Sequence, residues 1–303
     1  MQQEFKKIFQ PIKDSVRTGY LMSRLTSFRV GGPCDCLVQP QNLQELEQAV
    51  EICRSRNILF KVVGRCTNLL VKDGGIRGVV IHIGDPFDAW KTEGESDETV
   101  KAGAAIYLPR LCREVADVGL SGLEFASGIP GSLGGGLAMN AGAYGKSLGG
   151  LVKTVTYLDP EGGVKEIPSR ELKFSYRWSS LRERGGVIAE ARLQLERGNP
   201  GEIHNRIEEI LKLRRSKQPT LPSAGSVFKN PPDRPAGRLI EEAGCKGMQV
   251  GGAMVSQKHA NFIVNTGSAK AADILELISR VRQKVEEKTG VVLEQEVEII
   301  GED

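Results

Sequence analysis

The chain has 303 residues and a formal net charge of +3; 40% of its residues are apolar and 26% are charged. This composition is typical of a soluble globular protein with two domains, and it gives no support to binding of nucleic acid or of a membrane surface. Six cysteines without a CxxC pair, and only three histidines, argue against zinc or iron–sulfur ligation.

The N-terminus and the cysteines indicate the compartment. Residues 1–16 lack the apolar core of a signal peptide, and no apolar run approaches the length of about 18 residues that a membrane span needs. Scattered cysteines in a chain of this size are typical of reduced thiols in a cytosol. The sequence therefore predicts a cytoplasmic protein.

Periodic apolar residues predict alternating helices and strands from about residue 37 onward. Asn42 and Glu45 form a capping-box pattern at the start of a helix whose apolar face includes Leu46, Val50 and Cys53. The other elements predicted in the first half are strands at 58–63 and 76–83, and a helix at 108–118 that ends at Gly119.

The second half continues with a hairpin whose turn lies at 160–163. The elements predicted after it are a strand at 187–195, an amphipathic helix at 201–217, a strand at 260–265, a helix from 271 to Gly290 and a last strand at 291–300. The composition changes near 198–212, where we place a domain boundary.

Two glycine-rich segments carry most of the functional information. The first begins at Gly64, directly after a predicted strand, and the second spans 128–150 with nine glycines in 23 positions. Glycine permits positive φ and close backbone approach, so successive N–H groups can converge on an anion. Two such loops could grip the two phosphates of a dinucleotide, whereas isolated glycines would only form turns.

Two common phosphate-binding motifs are not present. No early strand is followed by the GxGxxG fingerprint of a Rossmann fold. The segment from Asn140 to Ser147 nearly matches GxxxxGK[ST], but its first position is not glycine. Gly149 and Gly150 also follow where a P-loop requires a helix. An ATPase is therefore not predicted.

At these residues the sequence resembles the UDP-N-acetylenolpyruvoylglucosamine reductase family over almost its whole length, from about Thr26 onward. Each motif is weak alone, but all occur in the family's order: TSFRVGG from Thr26, the Gly64 loop, GIPGSLG from Gly128, NAGAYG from Asn140, SYR ending at Arg177, GSVFKNP from Gly225, KHANF from Lys258 and LEQEV from Leu293.

The resemblance implies an α+β protein. A two-lobed FAD-binding region of the vanillyl-alcohol-oxidase (PCMH) type is expected at 20–197, with lobes at about 20–85 and 86–197. A substrate-binding domain is expected at 198–303, and its last strand could return to the first lobe. The implied activity is reduction of an enolpyruvyl ether on a UDP-sugar by NADPH through FAD. That oxidoreductase reaction belongs to peptidoglycan precursor synthesis, and so to cell-wall biogenesis, cell shape and division.

The resemblance also implies roles for individual residues. Ser226 would donate a proton to the substrate, and Arg177 and Glu296 would stabilise its carboxylate and the developing negative charge. Arginine can bind a carboxylate through two hydrogen bonds, whereas a glutamate has to be protonated to donate one. No metal is expected, and the chain is expected to be a monomer or a weak oligomer.

Binding residues follow from the same motifs. The residues expected to hold FAD without a covalent bond are Gly64, Arg65, Thr67, Asn68, Leu69, Gly128, Gly131, Ser132, Gly134, Asn140, Ala141, Gly142 and Gly145. Those expected to bind the substrate are Tyr176, Lys217 and Asn230, with Lys217 at the diphosphate.

The chain departs from the family pattern in two places. The first loop has Arg65, Cys66 and Thr67 where a plainer Gly/Ser-rich stretch is common. No tyrosine occurs between Arg177 and Ser226, so the chain resembles the shorter form of the family, which lacks a tyrosine loop over the substrate.

Simpler interpretations of the same residues stay open. Glu294, Glu296 and Glu298 could form an exposed acidic face of one strand. Arg177 could stack on Trp178, and Ser226 could be an ordinary turn serine. Two further alternatives are basic residues at 212–217 that only favour a helix C-terminus and a structural role for His259.

Two rival functions compete with the reductase. One is an oxidase of the same fold acting on an alcohol or a sugar; many such enzymes attach FAD to a histidine, and only His82 lies near a flavin loop here. The other is a non-catalytic nucleotide-binding module, which leaves Arg177, Ser226 and Glu296 unexplained. A flavin absorbance spectrum distinguishes an enzyme from such a module.

Overall fold

A computed structural model describes residues 2–94 and 98–303. Within them the α-helices are α1 (Gln2–Ile8), α2 (Leu43–Ser55), α3 (Leu108–Asp117), α4 (Leu133–Ala138), α5 (Ser180–Glu183), α6 (Pro200–Lys217), α7 (Ala236–Glu242) and α8 (Ala271–Thr289). The strands are β1 (Val16–Leu21), β2 (Pro33–Val38), β3 (Phe60–Val63), β4 (Leu69–Val71), β5 (Ile76–His82), β6 (Trp90–Glu93), β7 (Thr99–Gly103), β8 (Leu120–Ser121), β9 (Gly142–Ala143), β10 (Lys146–Ser147), β11 (Val152–Leu158), β12 (Val164–Pro168), β13 (Phe174–Ser175), β14 (Trp178–Ser179), β15 (Val187–Gln194), β16 (Glu196–Arg197), β17 (Gln249–Val250), β18 (Ala253–Val255), β19 (Ile263–Asn265) and β20 (Glu298–Ile300).

The chain forms two units, and each is assembled from three separate segments. Unit 1 comprises Met1–Thr18, Cys36–Arg65 and Val79–Arg214. Unit 2 comprises Gly19–Asp35, Cys66–Gly78 and Arg215–Asp303. The chain passes between the units several times before it enters unit 2 for the last time, inside α6.

Unit 1 contains an antiparallel sheet of order β12-β11-β15-β7-β6. The predicted hairpin is confirmed as β11 and β12, which pair from Thr154↔Pro168 to Leu158↔Val164. One core of the unit holds buried side chains from this sheet, from α3 and from α4, such as Val155, Leu111 and Leu133. The predicted helix at 108–118 is also confirmed, and Gly119 follows it with φ +74°.

A second core of unit 1 lies against α2. The Asn42 side-chain oxygen accepts the Glu45 N–H at 2.9 Å, so the predicted cap is confirmed. Leu46, Val50 and Cys53 are buried in this core together with residues of β5. β3 and β5 pair in parallel, which brings the C-terminal ends of both strands to one edge, directly before Gly64.

Unit 2 combines the antiparallel sheet β17-β18-β19 with α7 and α8. The apolar stripe of α8 includes Ile274, Ile278, Val281 and Val285, all buried in the core of this unit. Gly290 ends α8 with φ +71°, a conformation that glycine adopts readily.

The two units differ from the contiguous domains predicted from the sequence, 20–197 and 198–303. Unit 2 takes two of its three segments from within the predicted FAD-binding domain. Backbone hydrogen bonds hold those two segments together, for example from the Gly32 N–H to the Lys72 carbonyl at 3.0 Å. Local composition along the chain could not reveal this long-range pairing.

The end of the chain also differs from the prediction. Only Glu298–Ile300 of the predicted strand 291–300 is a strand, and it pairs in parallel with β4 in the segment expected to be the first lobe. The preceding residues bond irregularly to another segment, because the Val227 carbonyl accepts both the Glu296 and the Val297 N–H. Among the described residues, no helix combines the length and apolar character needed to cross a membrane.

Candidate functional site

The two glycine-rich segments meet inside unit 1. Gly64 follows β3 directly, and a Cβ atom placed on it would lie 2.5 Å from the Ser132 hydroxyl oxygen. Ser132 precedes α4, and its hydroxyl accepts the Gly135 N–H at 3.4 Å. With glycine at 64 the first turn lies against Ser132, and any larger residue there would require the Ser132 hydroxyl to move.

Other glycines of the second segment serve packing. The Gly134 N–H donates to the Ala104 carbonyl at 2.8 Å, and a Cβ on Gly134 would lie 2.8 Å from the Cβ of Ala104. The Gly131 carbonyl accepts the Leu108 N–H at 3.0 Å. These contacts fix the segment against α3 and the strand before it, so its shape is set before any ligand binds.

A short hairpin, β9 and β10, follows the second glycine segment. Its two-residue turn is Tyr144 and Gly145, both with positive φ. Lys146 lies in β10 and a short 3-10 turn follows, so no helix stands where a P-loop would need one. The Ala141 N–H donates to the Gly136 carbonyl at 2.7 Å and joins this hairpin to α4.

Asn140 connects this hairpin to the segment that carries Arg177. Its buried side chain donates to the Ser175 carbonyl at 2.8 Å and accepts the Gly149 N–H at 3.0 Å. Its backbone has φ +45°, which asparagine tolerates better than most residues. The Asn140 amide, which was predicted to bind the cofactor, thus uses both its nitrogen and its oxygen in hydrogen bonds within the protein.

Arg177 lies in the turn between β13 and β14 with φ +56°. Its Nη1 donates to the Gly142 carbonyl at 3.3 Å, and its guanidinium carbon lies 5.3 Å from the centre of the Tyr176 ring. Trp178 instead donates to Glu183 at 2.9 Å. The ring next to Arg177 is therefore Tyr176, which is 55% exposed, and not Trp178.

Arg214 is a residue that the sequence interpretation missed. Its side chain fills the position that a Cβ on Gly128 would occupy. Burial lowers the pKa of its guanidinium, Arg177 lowers it further, and Tyr144 and Tyr107 act in the opposite direction. Arg214 and Lys217 are three residues apart on α6, so they lie on the same face of the helix. This spacing is the sequence signal that distinguishes them from the other basic residues at 212–217.

Arg65 extends the same region. Its guanidinium carbon lies 4.4 Å from the centre of the Tyr107 ring, and Tyr107 forms a β-bridge with Ser132. Unit 1 thus collects arginines and tyrosines around its glycine segments. Guanidinium groups suit carboxylates and phosphates, and tyrosine faces suit planar rings.

Ser226 and Glu296 are neighbours in unit 2, although they are far apart in the sequence. The Glu296 N–H donates to the carbonyl of Val227, the residue after Ser226, at 2.7 Å. Gly225 precedes the serine with φ +76°, so a tight backbone turn leads into this segment. Both Ser226 and Glu296 are half-buried. The exposed Glu294 forms an ion pair with Lys229, so the three glutamates do not form one acidic face.

The rest of the first predicted flavin loop belongs to unit 2. The Asn68 side chain donates to the Glu296 carbonyl at 3.0 Å, and its backbone carbonyl accepts the Glu298 N–H at 3.0 Å. Leu69 pairs with Glu298, and Thr67 is half-buried. These hydrogen bonds of Asn68 therefore hold the backbone of Glu296 and Glu298 in place.

The predicted substrate residues of unit 2 differ in their surroundings. Lys217 is exposed at the end of α6, and the Lys258 ammonium donates to the Arg215 carbonyl close by. The Asn230 side-chain oxygen accepts the Ala236 N–H at 3.0 Å at the start of α7, so it serves the fold at least in part.

The two histidines near these segments accept or share hydrogen bonds within the protein. Burial lowers the pKa of His259, as do Lys246 and Lys217, and its Nδ1 accepts the Asn261 N–H at 3.3 Å. His82 pairs with Val63, beside Gly64, and its Nδ1 lies 3.0 Å from the Gln39 amide nitrogen. Within residues 2–94 and 98–303, no group of three or more His, Cys, Asp or Glu side chains could hold a metal ion.

Comparisons with known proteins identify both parts of the chain. Residues 34–167 match the family model described as an FAD binding domain. Residues 217–300 match that of the UDP-N-acetylenolpyruvoylglucosamine reductase C-terminal domain. Together with the mixed helices and strands, these matches confirm the predicted fold class.

Whole-length relatives agree with these matches. A UDP-N-acetylenolpyruvoylglucosamine reductase from Clostridioides difficile is 42% identical over 96% of this chain and 95% of its own length. One from Heliobacterium modesticaldum is 45% identical over 93% of this chain and 89% of its own. A crystal structure of the Thermus caldophilus enzyme superposes with a TM-score of 0.83 at 38% identity, covering 94% of this chain and all of that one.

Proposed function

Because this chain belongs to the UDP-N-acetylenolpyruvoylglucosamine reductase family, we propose that it reduces the enolpyruvyl ether of UDP-N-acetylenolpyruvoylglucosamine to UDP-N-acetylmuramate. We propose NADPH as the hydride donor, FAD as a non-covalent cofactor and the cytoplasm as the site of action. The product would enter peptidoglycan synthesis, and through it cell shape and division.

The observation that carries this proposal is the pairing of two segments in unit 2. A backbone hydrogen bond of 2.7 Å joins Glu296 to the residue after Ser226. A hydroxyl and a carboxyl group are thereby held on adjacent stretches of one rigid segment pair. A nucleotide-binding module has no use for such a pair, whereas a reductase that must protonate its substrate does.

The chemistry explains why these groups are needed. FAD, when bound and reduced by NADPH, would supply the hydride that adds to the β-carbon of the enol ether. Negative charge then develops on the α-carbon and the adjoining carboxylate. A proton donor must reach the α-carbon, and hydrogen-bond donors must stabilise the carboxylate. Ser226 is proposed as the proton donor and Glu296, in its protonated form, as one of the stabilising donors.

Arg177 lies in unit 1, where both its side chain and its backbone are constrained. Arg177 is anchored by its bond to the Gly142 carbonyl, and its position has the strained φ of a left-handed residue. A strained backbone conformation persists only where surrounding contacts enforce it, and such positions are often found at functional sites. Arg177 is proposed to bind the substrate carboxylate, and its positive charge is one of the causes, after burial, that lower the pKa of Arg214.

The residues present fit an FAD diphosphate. Gly64 lies against Ser132, and the backbone N–H groups of these two glycine-rich segments are proposed to face the diphosphate. The full set proposed from the sequence to hold the cofactor stays a proposal, with Arg65 stacked on Tyr107 as its cationic member. Lys217, Tyr176 and Asn230 stay proposed substrate ligands.

The proposal is tested in two half-reactions. The purified protein should show flavin absorbance that NADPH bleaches without oxygen, and the enolpyruvyl substrate should restore it. An alcohol or sugar oxidase would instead be reduced by its alcohol and reoxidised by oxygen. A colourless protein, or a reduced protein that the enolpyruvyl substrate does not reoxidise, would exclude the proposed reaction.

A further inference from the structure

The segment that carries Ser226 is held from one side by a single buried asparagine. Asn261 is 3% exposed. Its Oδ1 accepts the Phe228 N–H at 3.0 Å, and its Nδ2 donates to the Phe228 carbonyl at 2.8 Å. Its own carbonyl accepts the Val227 N–H at 2.9 Å. Three hydrogen bonds thus connect one residue to the two positions after Ser226.

Glu296 holds the same segment from the opposite direction. Its N–H donates to the Val227 carbonyl at 2.7 Å, and its own carbonyl accepts from the Asn68 side chain at 3.0 Å. The four segments are therefore linked in the order Asn261, Val227, Glu296 and Asn68. One uninterrupted series of hydrogen bonds thus runs from Asn261 through Val227, the residue after Ser226, to Glu296.

The Asn261 side chain makes the hydrogen bonds to Phe228 that the backbone of a neighbouring β-strand would otherwise make. A side-chain amide offers one donor group and one acceptor group, as a peptide bond does. Residues around Asn261 form a turn, closed by the Phe262 N–H donating to the His259 carbonyl at 3.0 Å, so the backbone there cannot continue a strand ladder. The side chain instead satisfies the Phe228 N–H and carbonyl, which are buried.

We propose that Asn261 is the positioning residue for the Ser226 proton donor, fixing the segment from Ser226 to Phe228 against Glu296. This inference rests on the proposed function, because it concerns the step in which the substrate is protonated. It adds a residue that touches neither substrate nor cofactor in the proposed mechanism. A displacement of about 1 Å in a catalytic group can lower a rate by about 100-fold.

The test compares two isosteric variants. Asn261→Asp keeps the side-chain volume and the acceptor for the Phe228 N–H, but it loses the donor to the Phe228 carbonyl. Asn265→Asp is the matched control. Asn265 is also buried in the same unit, and its side chain donates to the Phe28 carbonyl at 2.9 Å and accepts the Gly267 N–H at 2.8 Å, so the substituted group does not bond to residues 226–228.

The structural readout is amide hydrogen exchange on the unliganded protein. Asn261→Asp should accelerate exchange in the segments 226–228 and 294–297. Asn265→Asp should accelerate it near 265–269 and leave those segments unchanged. Thermal unfolding of both variants shows whether they lose similar stability, so that a difference in rate is not a difference in folding.

The kinetic readout is anaerobic stopped-flow absorbance. With Asn261→Asp, reduction by NADPH should stay within about twofold of wild type, and reoxidation by the enolpyruvyl substrate should slow by about 10- to 100-fold. The solvent deuterium isotope effect on reoxidation should rise, because proton transfer becomes more strongly rate-limiting. Asn265→Asp should change neither half-reaction.

Three outcomes would overturn the inference. Wild-type reoxidation rates in a folded Asn261→Asp variant would remove its positioning role, and so would equal slowing of both half-reactions. Equal slowing of reoxidation by Asn265→Asp would show a general loosening of the unit.

If Asn261→Asp does not fold, Asn261→Gln is measured in the same way, because it keeps both hydrogen-bonding groups but displaces them. Failure of the wild-type protein itself to be reoxidised would instead overturn the proposed function.

Discussion

At the level of single residues, the hydroxyl of Ser226 is proposed to act in only one of the two half-reactions. Ser226→Ala removes the proposed proton donor and little volume, so flavin content and reduction by NADPH should be preserved. Reoxidation by the enolpyruvyl substrate should slow by at least about 10²–10⁴-fold, the usual contribution of a positioned general acid. Stopped-flow absorbance of each half-reaction measures this, with the exposed Ser268→Ala as the control. Equal slowing of both would indicate a damaged flavin site.

A second prediction concerns the geometry of the hydrogen-bond donors at Arg177. Arg177→Lys keeps the charge, but an ammonium cannot reproduce a planar two-point contact with a carboxylate. Turnover should fall about 10- to 100-fold, because a hydrogen bond to a charged group contributes about 1.5–3 kcal/mol. Steady-state kinetics at constant flavin content measures the loss. The exposed Arg170→Lys should behave as wild type, and a wild-type rate for Arg177→Lys would make Arg177 a bystander.

Residue types and motif order predicted Arg177, Ser226 and Glu296, but not the residues that hold them. Arg214 lay in a basic run that a helix C-terminus explains equally well. Asn261 lies in the KHANF motif, but the motif does not show that its side chain takes the place of a strand partner. Its role depends on which distant backbone groups lie within 3 Å of it. Only the folded chain shows that.

At the level of elements, α8 is capped by a residue from another segment of unit 2. Asp73 accepts the Ala271 N–H and the Ala272 N–H, both at 2.9 Å. Asp73→Ala should lower the free energy of unfolding by about 1–2 kcal/mol, the usual loss of an N-terminal cap. Urea denaturation measures it. Asp233→Ala, an exposed position, should have little effect, and equal losses would show that capping is not the cause.

Periodicity predicted the helices well because their apolar stripes and end signals are local. α3, α6 and α8 begin and end within a residue of their predicted bounds, and α2 begins directly after its predicted cap, Asn42. The strand predicted at 260–265 begins only at Ile263, because the turn at His259 and Asn261 takes its first half. The strand predicted at 58–63 begins at Phe60, because the Ile58 N–H donates a hydrogen bond to the Cys53 carbonyl near the end of α2.

At the level of the whole molecule, all six cysteines are buried. Burial raises the pKa of Cys34 to about 11 and those of Cys53 and Cys66 to about 12. The native protein should therefore react slowly with a thiol reagent at pH 8, and six thiols should react after unfolding. Absorbance of the released thiolate counts them. A rapid, stoichiometric reaction of the folded protein would contradict this burial.

A further prediction for the intact holoenzyme concerns its cofactor. His82, which pairs with Val63 beside the first glycine turn, has its Nδ1 3.0 Å from the Gln39 amide nitrogen. FAD is therefore expected to be bound without a covalent link, and acid precipitation should release the yellow colour into the supernatant. Colour retained in the pellet after washing would overturn this prediction.

The three-segment construction of unit 2 has a consequence for biosynthesis. Residues 19–35 leave the ribosome early, but most of their unit is encoded by 215–303. At roughly 5–20 residues per second, those early residues wait on the order of 15–50 s for their partners. During translation, Phe28 and Val30, which end in the core of unit 2, have no native neighbours from that C-terminal segment. A nascent chain stalled near residue 214 should therefore recruit chaperones that recognise apolar segments, and release from them should follow synthesis of the last strand.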